Sequence, residues 1–232
     1  KTGNWENKNI LVEKKKPPKD ILDRLLQIRK NRKKPTFDNK TQLDLNCLWI
    51  NSLLAAHEVL PIKNYLKLAE SFFYIIEDEY IKKSIKHSFS KDIVFIEDYA
   101  FLINALINLS DKTMNFKYKD YAKKLCQEAF TKFYIKEKDI FQKNQKDKND
   151  IFFNPIDIGD NTIPNGNAVM LINLTSLGMI EEAKVLSNSL NGYLNIYKNY
   201  MMTSIRALDY FNNVNSGKNC NEQGCKTDIK KN

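Results

Sequence analysis

Segments whose apolar residues encircle the helix axis take turns along this chain with segments whose apolar residues keep to one stripe. That alternation restricts the fold more than any other feature. Over 44–59, Leu45, Cys47, Leu48, Trp49, Ile50, Leu53, Leu54, Ala55 and Ala56 leave almost no polar side, the pattern of a helix buried nearly all round. Over 63–83, Leu66, Ala69, Phe73 and Ile76 share one face while Lys67, Glu70, Glu77 and Lys82 lie elsewhere, the pattern of a half-buried outer helix. The pair then recurs: 93–109 and 166–177 are rich in buried types, 118–134 and 181–194 are amphipathic, and a last helix covers 197–211. A hairpin made of one buried and one half-buried helix cannot cover its own apolar face, so such hairpins must stack. With an earlier helix between Pro17-Pro18 and Pro35, whose stripe is Ile21, Leu22, Leu25, Leu26 and Ile28, periodicity predicts about eight helices. A closed ring of six hairpins needs about twelve. The expected fold class is therefore all-α: helical hairpins forming an incomplete α/α toroid.

Composition agrees. Only 7 Gly and 6 Pro in 232 residues leave long stretches without turn formers, which favours helices over the many short strands of a sandwich or barrel. A net charge of +9 raises the question of nucleic acid or an anionic membrane. Its distribution answers: the basic residues fall in short clusters at 14–16, 29–34, 82–86 and 230–231 with acids between them, and no aromatic-and-basic interleaving is present, so no nucleic-acid partner is expected. The apolar stretch 94–109 is broken by Glu97, Asp98, Asn104 and Asn108, so no membrane span is expected either. Residues 1–19 lack the apolar core of a signal peptide, and Cys47 and Cys126 sit inside helical patterns. A reducing cytoplasm is the expected compartment. The chain divides into an irregular segment 1–19, the helical portion 20–213 and a polar tail 214–232 carrying Cys220 and Cys225.

Particular residues carry more than pattern. Gly3-Asn4-Trp5-Glu6, Asn9-Ile10-Leu11, Leu25-Leu26-Gln27-Ile28-Arg29 and Arg32 stand first. Phe37-Asp38-Asn39-Lys40 with Asn46, Glu97-Asp98-Tyr99-Ala100-Phe101-Leu102, Pro164-Asn165-Gly166-Asn167 and the Cys220/Cys225 pair follow in order. Together they resemble the spermatogenesis-associated protein 20-like family of thioredoxin-domain-containing proteins, whose landmarks include Asp-Asp-Lys, Trp-Asn-Gly, Glu-Asp-Tyr-Ala, Pro-Ser-Gly-Asn and a C-terminal Cys-x4-Cys. The sequence departs from that pattern at Asn39, Leu45, Cys47 and Asn165. The resemblance implies a six-hairpin glycosidase-like toroid, related to sugar epimerases, preceded by an attached thioredoxin-like domain and earlier hairpins that are missing here. The chain is thus read as the C-terminal part of a larger protein.

In a helical toroid the ends of the inner helices converge on a central cavity, which makes polar residues there the natural site candidates. Asp38, Glu97 and Asp98 are the candidate acid/base groups. Lys40, Asn46, Tyr99, Asn165, Gly166 and Asn167 are the candidate contacts to a sugar-like small molecule. Each has a structural reading beside the functional one. Glu97 and Asp98 suit the first turn of a helix, Asp38 and Lys40 suit a solvated pair, Tyr99 suits a core residue with its hydroxyl satisfied, and Asn165 or Asn167 suits a helix cap. Cys220 and Cys225, in a polar tail with Gly217 and Gly224, suit a disulfide, a redox pair or half of a zinc site that lacks a second pair, and a disordered tail is the structural reading beside these. His57 and His87 have no Cys, Asp or His at ligand spacing, and no phosphate loop is present, so neither a metal nor another cofactor is expected. Two functional classes remain: a carbohydrate-processing cavity of epimerase or glycosidase type, and a noncatalytic scaffold for the thioredoxin-like domain.

Overall fold

The computed structural model describes residues 3–10, 12–60, 64–82, 84–88, 93–146 and 154–217, together with the backbone of 220–221 and 224–225. They divide into two units, Lys1–Asn39 and Lys40–Asn232. In the first, a tight turn pairs Trp5 with Lys8, Asn4 holds the backbone of Ile10, and helix α1 (Lys19–Lys30) follows Pro18, its Ile21, Leu22, Leu25, Leu26 and Ile28 exposed.

The second unit is a row of helical hairpins. Helices α2 (Leu43–Val59), α4 (Ile96–Thr113), α6 (Gly166–Ser176) and α8 (Met202–Asn215) lie side by side. Against them pack α3 (Tyr65–Ile76), α5 (Lys117–Phe133) and α7 (Ile180–Tyr197). Burial follows the alternation in the sequence. From Gly166 to Thr175 every residue of α6 is buried, whereas α5 buries Tyr118, Ala122, Leu125, Cys126, Ala129 and Phe133 on one face. Tyr99, Phe73, Phe101, Phe133 and Phe141 are the largest fully buried side chains.

The inner helices run in the same direction. Gln42, His87 and Asp98 connect the starts of α2 and α4, Gly166 packs on Ile96 and Glu97, and Asn165 reaches Ser204 at the start of α8. Half-way along, a chain of amides crosses three helices: Asn51 donates to Asn104 (2.9 Å), Asn104 to Asn173 (3.0 Å), and Asn173 to the carbonyl of Ala100 (2.8 Å). At the far end Lys112 pairs with Glu58.

Most helix boundaries follow the sequence pattern. The helix expected over 63–83 is a regular helix only to Ile76 and then widens into a π-helical turn, Glu77–Ile81. The last helix begins at Met202 because α7 continues to Tyr197 and a 3-10 turn, Lys198–Tyr200, intervenes. Two small hairpins interrupt the all-helical pattern. Strand β1 (Tyr134–Ile135) pairs antiparallel with β2 (Ile140–Phe141), and β3 (Cys220–Asn221) with β4 (Gly224–Cys225). Among the described residues no helix is long and apolar enough to cross a membrane.

Asn173 is fully buried and serves two partners. Asn173→Ala removes the acceptor of an Asn104 amide N–H, while the Ala100 carbonyl keeps its bond to the backbone N–H four residues on, and a buried group left unpaired costs about 1–3 kcal/mol. Urea denaturation of the variant should therefore show a stability loss of about 1–3 kcal/mol.

Candidate functional site

The first turns of α2 and α4 and the loop before α6 enclose a cavity of about 400 Å³, lined by Gln42, Asp44, His87, Phe95, Glu97, Lys143, Asp157 and residues of 159–165. Adjacent positions on a helix point about 100° apart, so the neighbours Glu97 and Asp98 diverge. Asp98 turns back along the helix: its Oδ2 accepts from the backbone N–H of Phe95 (2.8 Å), and its Oδ1 lies 2.9 Å from His87 Nδ1. It is fully buried and acts as the cap of α4. Glu97 goes the other way, onto the cavity wall. It is 6% exposed, and among the described residues its Oε2 has no hydrogen-bond partner. Desolvation pushes its carboxyl up to about 7, against weaker opposing pulls from a hydrogen bond donated by its own backbone N–H and from Lys143.

His87 is held at both ends. Its N–H donates to the Ile93 carbonyl and its own carbonyl accepts from the Leu43 N–H, each at 2.9 Å. Its ring packs edge-on against Phe95, and Nε2 lies 2.8 Å from the Gln42 amide. The Asp98 hydrogen bond raises the imidazole above its usual range, with burial opposing. Asp44, mostly buried, sits 4.0 Å from Nδ1 and is itself raised by burial and by the charge of Asp98. Beneath them the fully buried Cys47 thiol is pushed well up by burial.

Lys143 arrives on the segment that continues from β2. The backbone N–H of Ile96 donates to the Lys143 carbonyl (3.0 Å), the Lys143 N–H to Pro155 (2.8 Å), and its ammonium reaches Asp157 at 3.5 Å. The small hairpin therefore delivers a cation to the rim. Asn167 secures it: the amide accepts from Phe141 N–H and donates to the carbonyls of Phe141 and Asp157.

The other residues singled out in the sequence occupy varied places. Asn165 caps α6, accepting from the Ala168 N–H (2.9 Å) and donating to Asp160 and Ser204, while it also borders the cavity. Gly166 marks a close approach of α6 to α4, where an added Cβ would stand 3.0 Å from Ile96 Cγ2. Tyr99 faces α5: its hydroxyl donates to Glu128 and accepts from Lys132. Asn46 donates to the Gln42 carbonyl one turn back. Lys40 is exposed at the start of the second unit, and Asp38 is exposed in the first. The backbone register places Cys220 opposite Cys225; their side chains lie outside the described residues. Sequence spacing gave no sign of the Asp44, His87 and Asp98 cluster, nor of Lys143 and Asp157, because the connections that bring them together are tertiary.

A second cavity, of about 580 Å³, follows the amide chain along the inner helices and shares Pro164 with the first.

No protein-family model matches the chain, and no curated protein matches it. Among solved structures, the chain is similar to cellobiose 2-epimerase from Bacillus thermoamylovorans B4167, at 19% identity and a TM-score of 0.49 over 68% of this chain and 44% of that one. It is also similar to a D-mannose isomerase, at 14% identity and a TM-score of 0.51 over 65% of this chain and 42% of that one. The likeness to the D-mannose isomerase shows the fold, that of an α/α toroid; the chain spans somewhat over two fifths of each neighbour's length. The likeness to the thioredoxin-domain-containing family stays an expectation from sequence.

Glu97 makes the site's pH behaviour predictable. A carboxyl raised from 4.5 to about 7 in the folded chain favours folding only when protonated. Its ionisation penalty is absent below pH 4.5, grows as pH rises, and is complete above about pH 7, at roughly 3 kcal/mol for the whole shift. Glu97→Gln removes that dependence. Between pH 4 and pH 8, chemical denaturation should show the variant gaining about 3 kcal/mol relative to the unmodified chain.

Proposed function

We propose that the rim cavity is a carbohydrate-processing site working by proton transfer, with Glu97 as the proton-transferring group. The single observation that carries this reading is the Glu97 oxygen: buried, unpartnered among the described residues, and on the wall of a cavity. Both oxygens of Asp98, at the same helix start, are partnered; a buried polar atom left without a partner points to a water, an ion, a ligand or a chemical role. Around it stand groups suited to hydroxyls, namely Gln42, Asn161, Thr162 and the Lys143–Asp157 pair. The cavity volume of about 400 Å³ is in the range of small-molecule sites.

The reaction class that fits best is proton transfer next to a sugar carbonyl. Glu97 would remove the proton on the carbon beside the carbonyl, and Lys143 would stabilise the negative charge that develops on oxygen. The toroid shared with a structure described as a D-mannose isomerase supports a sugar as substrate, since exchange between an aldose and a ketose moves that proton.

One observation favours the rival reading of a noncatalytic scaffold for an attached thioredoxin-like domain: Tyr99, Asp98 and Asn167 are all committed to internal hydrogen bonds. Solvent exchange separates the two. Incubated in D2O with a panel of aldoses headed by mannose, the chain should label carbon 2 as read by NMR, and Glu97→Gln should slow labelling by about 10²–10⁴-fold, the range for loss of a general base. No labelling with any aldose would leave the scaffold.

A further inference from the structure

We infer that Asp44, His87 and Asp98 form a binding site for one first-row divalent cation, of the Zn²⁺ or Mn²⁺ type, at the floor of the rim cavity. The three residues come from the start of α2, the segment before α4, and the first turn of α4. One ligand atom from each lies within 4.8 Å of the other two. His87 Nδ1 is 2.9 Å from Asp98 Oδ1 and 4.0 Å from Asp44 Oδ1. Ligand atoms about 2.0–2.2 Å from one ion stand about 3–3.5 Å apart, so the first separation already fits and the second needs only a small closure of Asp44. Mixed imidazole and carboxylate donors suit Zn²⁺, Mn²⁺ and their neighbours better than Ca²⁺ or Mg²⁺, which take oxygen ligands.

Three features argue for a site beyond a cluster of acids. Two carboxylates buried this deeply carry more negative charge than a single imidazolium can offset, and a divalent cation would balance both. Asp44 and His87 both line the cavity, so coordination positions on that side are open to water or substrate. The unpartnered Glu97 Oε2 lines the same cavity as Asp44 and His87.

The surroundings of His87 supply the outer support that metal-bound imidazoles use. With Nδ1 on the ion, Nε2 carries the proton and needs an acceptor. The Gln42 amide, 2.8 Å away, provides one when its oxygen and nitrogen exchange places, a turn that leaves its shape unchanged. The backbone bonds of His87 to Leu43 and Ile93 hold the ring in place meanwhile.

This inference does not depend on the carbohydrate reading, and its test reads metal directly. Isothermal titration of the metal-free full chain with ZnCl2 and with MnCl2 should show one ion per chain. Asp44→Asn, confirmed folded by circular dichroism, should bind about 100-fold more weakly, and Gln42→Ala about tenfold more weakly, as for lost inner and outer support. X-ray absorption of the Zn²⁺-loaded chain should show nitrogen and oxygen at about 2.0–2.2 Å. Absence of binding by both ions, unchanged affinity in Asp44→Asn, or sulfur at about 2.3 Å from Cys220 and Cys225 would each overturn the site.

Discussion

A helix that begins inside a protein brings backbone N–H groups with no partner of its own, and four such beginnings come together at one rim of this chain. Everything else at the site follows from how they are satisfied. The Leu43 N–H at the start of α2 is taken by the His87 carbonyl, and the Phe95 and Ile96 N–H groups by the Asp98 carboxylate and the Lys143 carbonyl. On the third and fourth helices, Ala168 N–H goes to Asn165 and Thr203 N–H to Asp160. Of these acceptors His87, Lys143 and Asp160 lie on irregular segments, whereas Asp98 and Asn165 belong to the helix starts themselves. Capping the buried helices and building the cavity are thus one event.

That economy explains why Glu97 stands apart. Its neighbours at the rim have hydrogen-bonding duties, and Glu97 has an oxygen with none among the described residues. A carboxyl kept from water in this way is a cost to the fold, and proteins tolerate such costs mainly where a chemical task needs them. The cation inferred at Asp44, His87 and Asp98 would lie at the floor of the same cavity, and proton exchange reads the one while direct metal binding reads the other.

The helical architecture was legible because burial imposes a period. A helix enclosed by neighbours, such as α4 or α6, cannot carry charge around its middle, and one half exposed, such as α5, must. Caps were legible for the same local reason: Asn165 stands one residue before α6 and Asp98 at the third position of α4, where their oxygens meet free N–H groups. The pairing of His87 with Asp98, and the arrival of Lys143, were not. Both depend on irregular segments whose course is set by tertiary hydrogen bonds, His87 by Leu43 and Ile93, Lys143 by Ile96 and Pro155. Strands β1 and β2 are two residues each, too short for an alternating pattern to announce them. Tyr99 shows the limit from the other side: a polar tip near a helix start can face the rim or the outer helix, and only packing against Phe133 and Lys132 sends it outward.

At the start of α4 a carboxyl is held from water, with one of its oxygens unpartnered among the described residues. Carbon-13 NMR titration of the side-chain carboxyls, with the Glu97 signal assigned by its loss in Glu97→Gln, measures that state directly. A midpoint near pH 7 is what the structure predicts; a midpoint near the 4.5 of an ordinary glutamate would show a solvated or paired side chain and would contradict it.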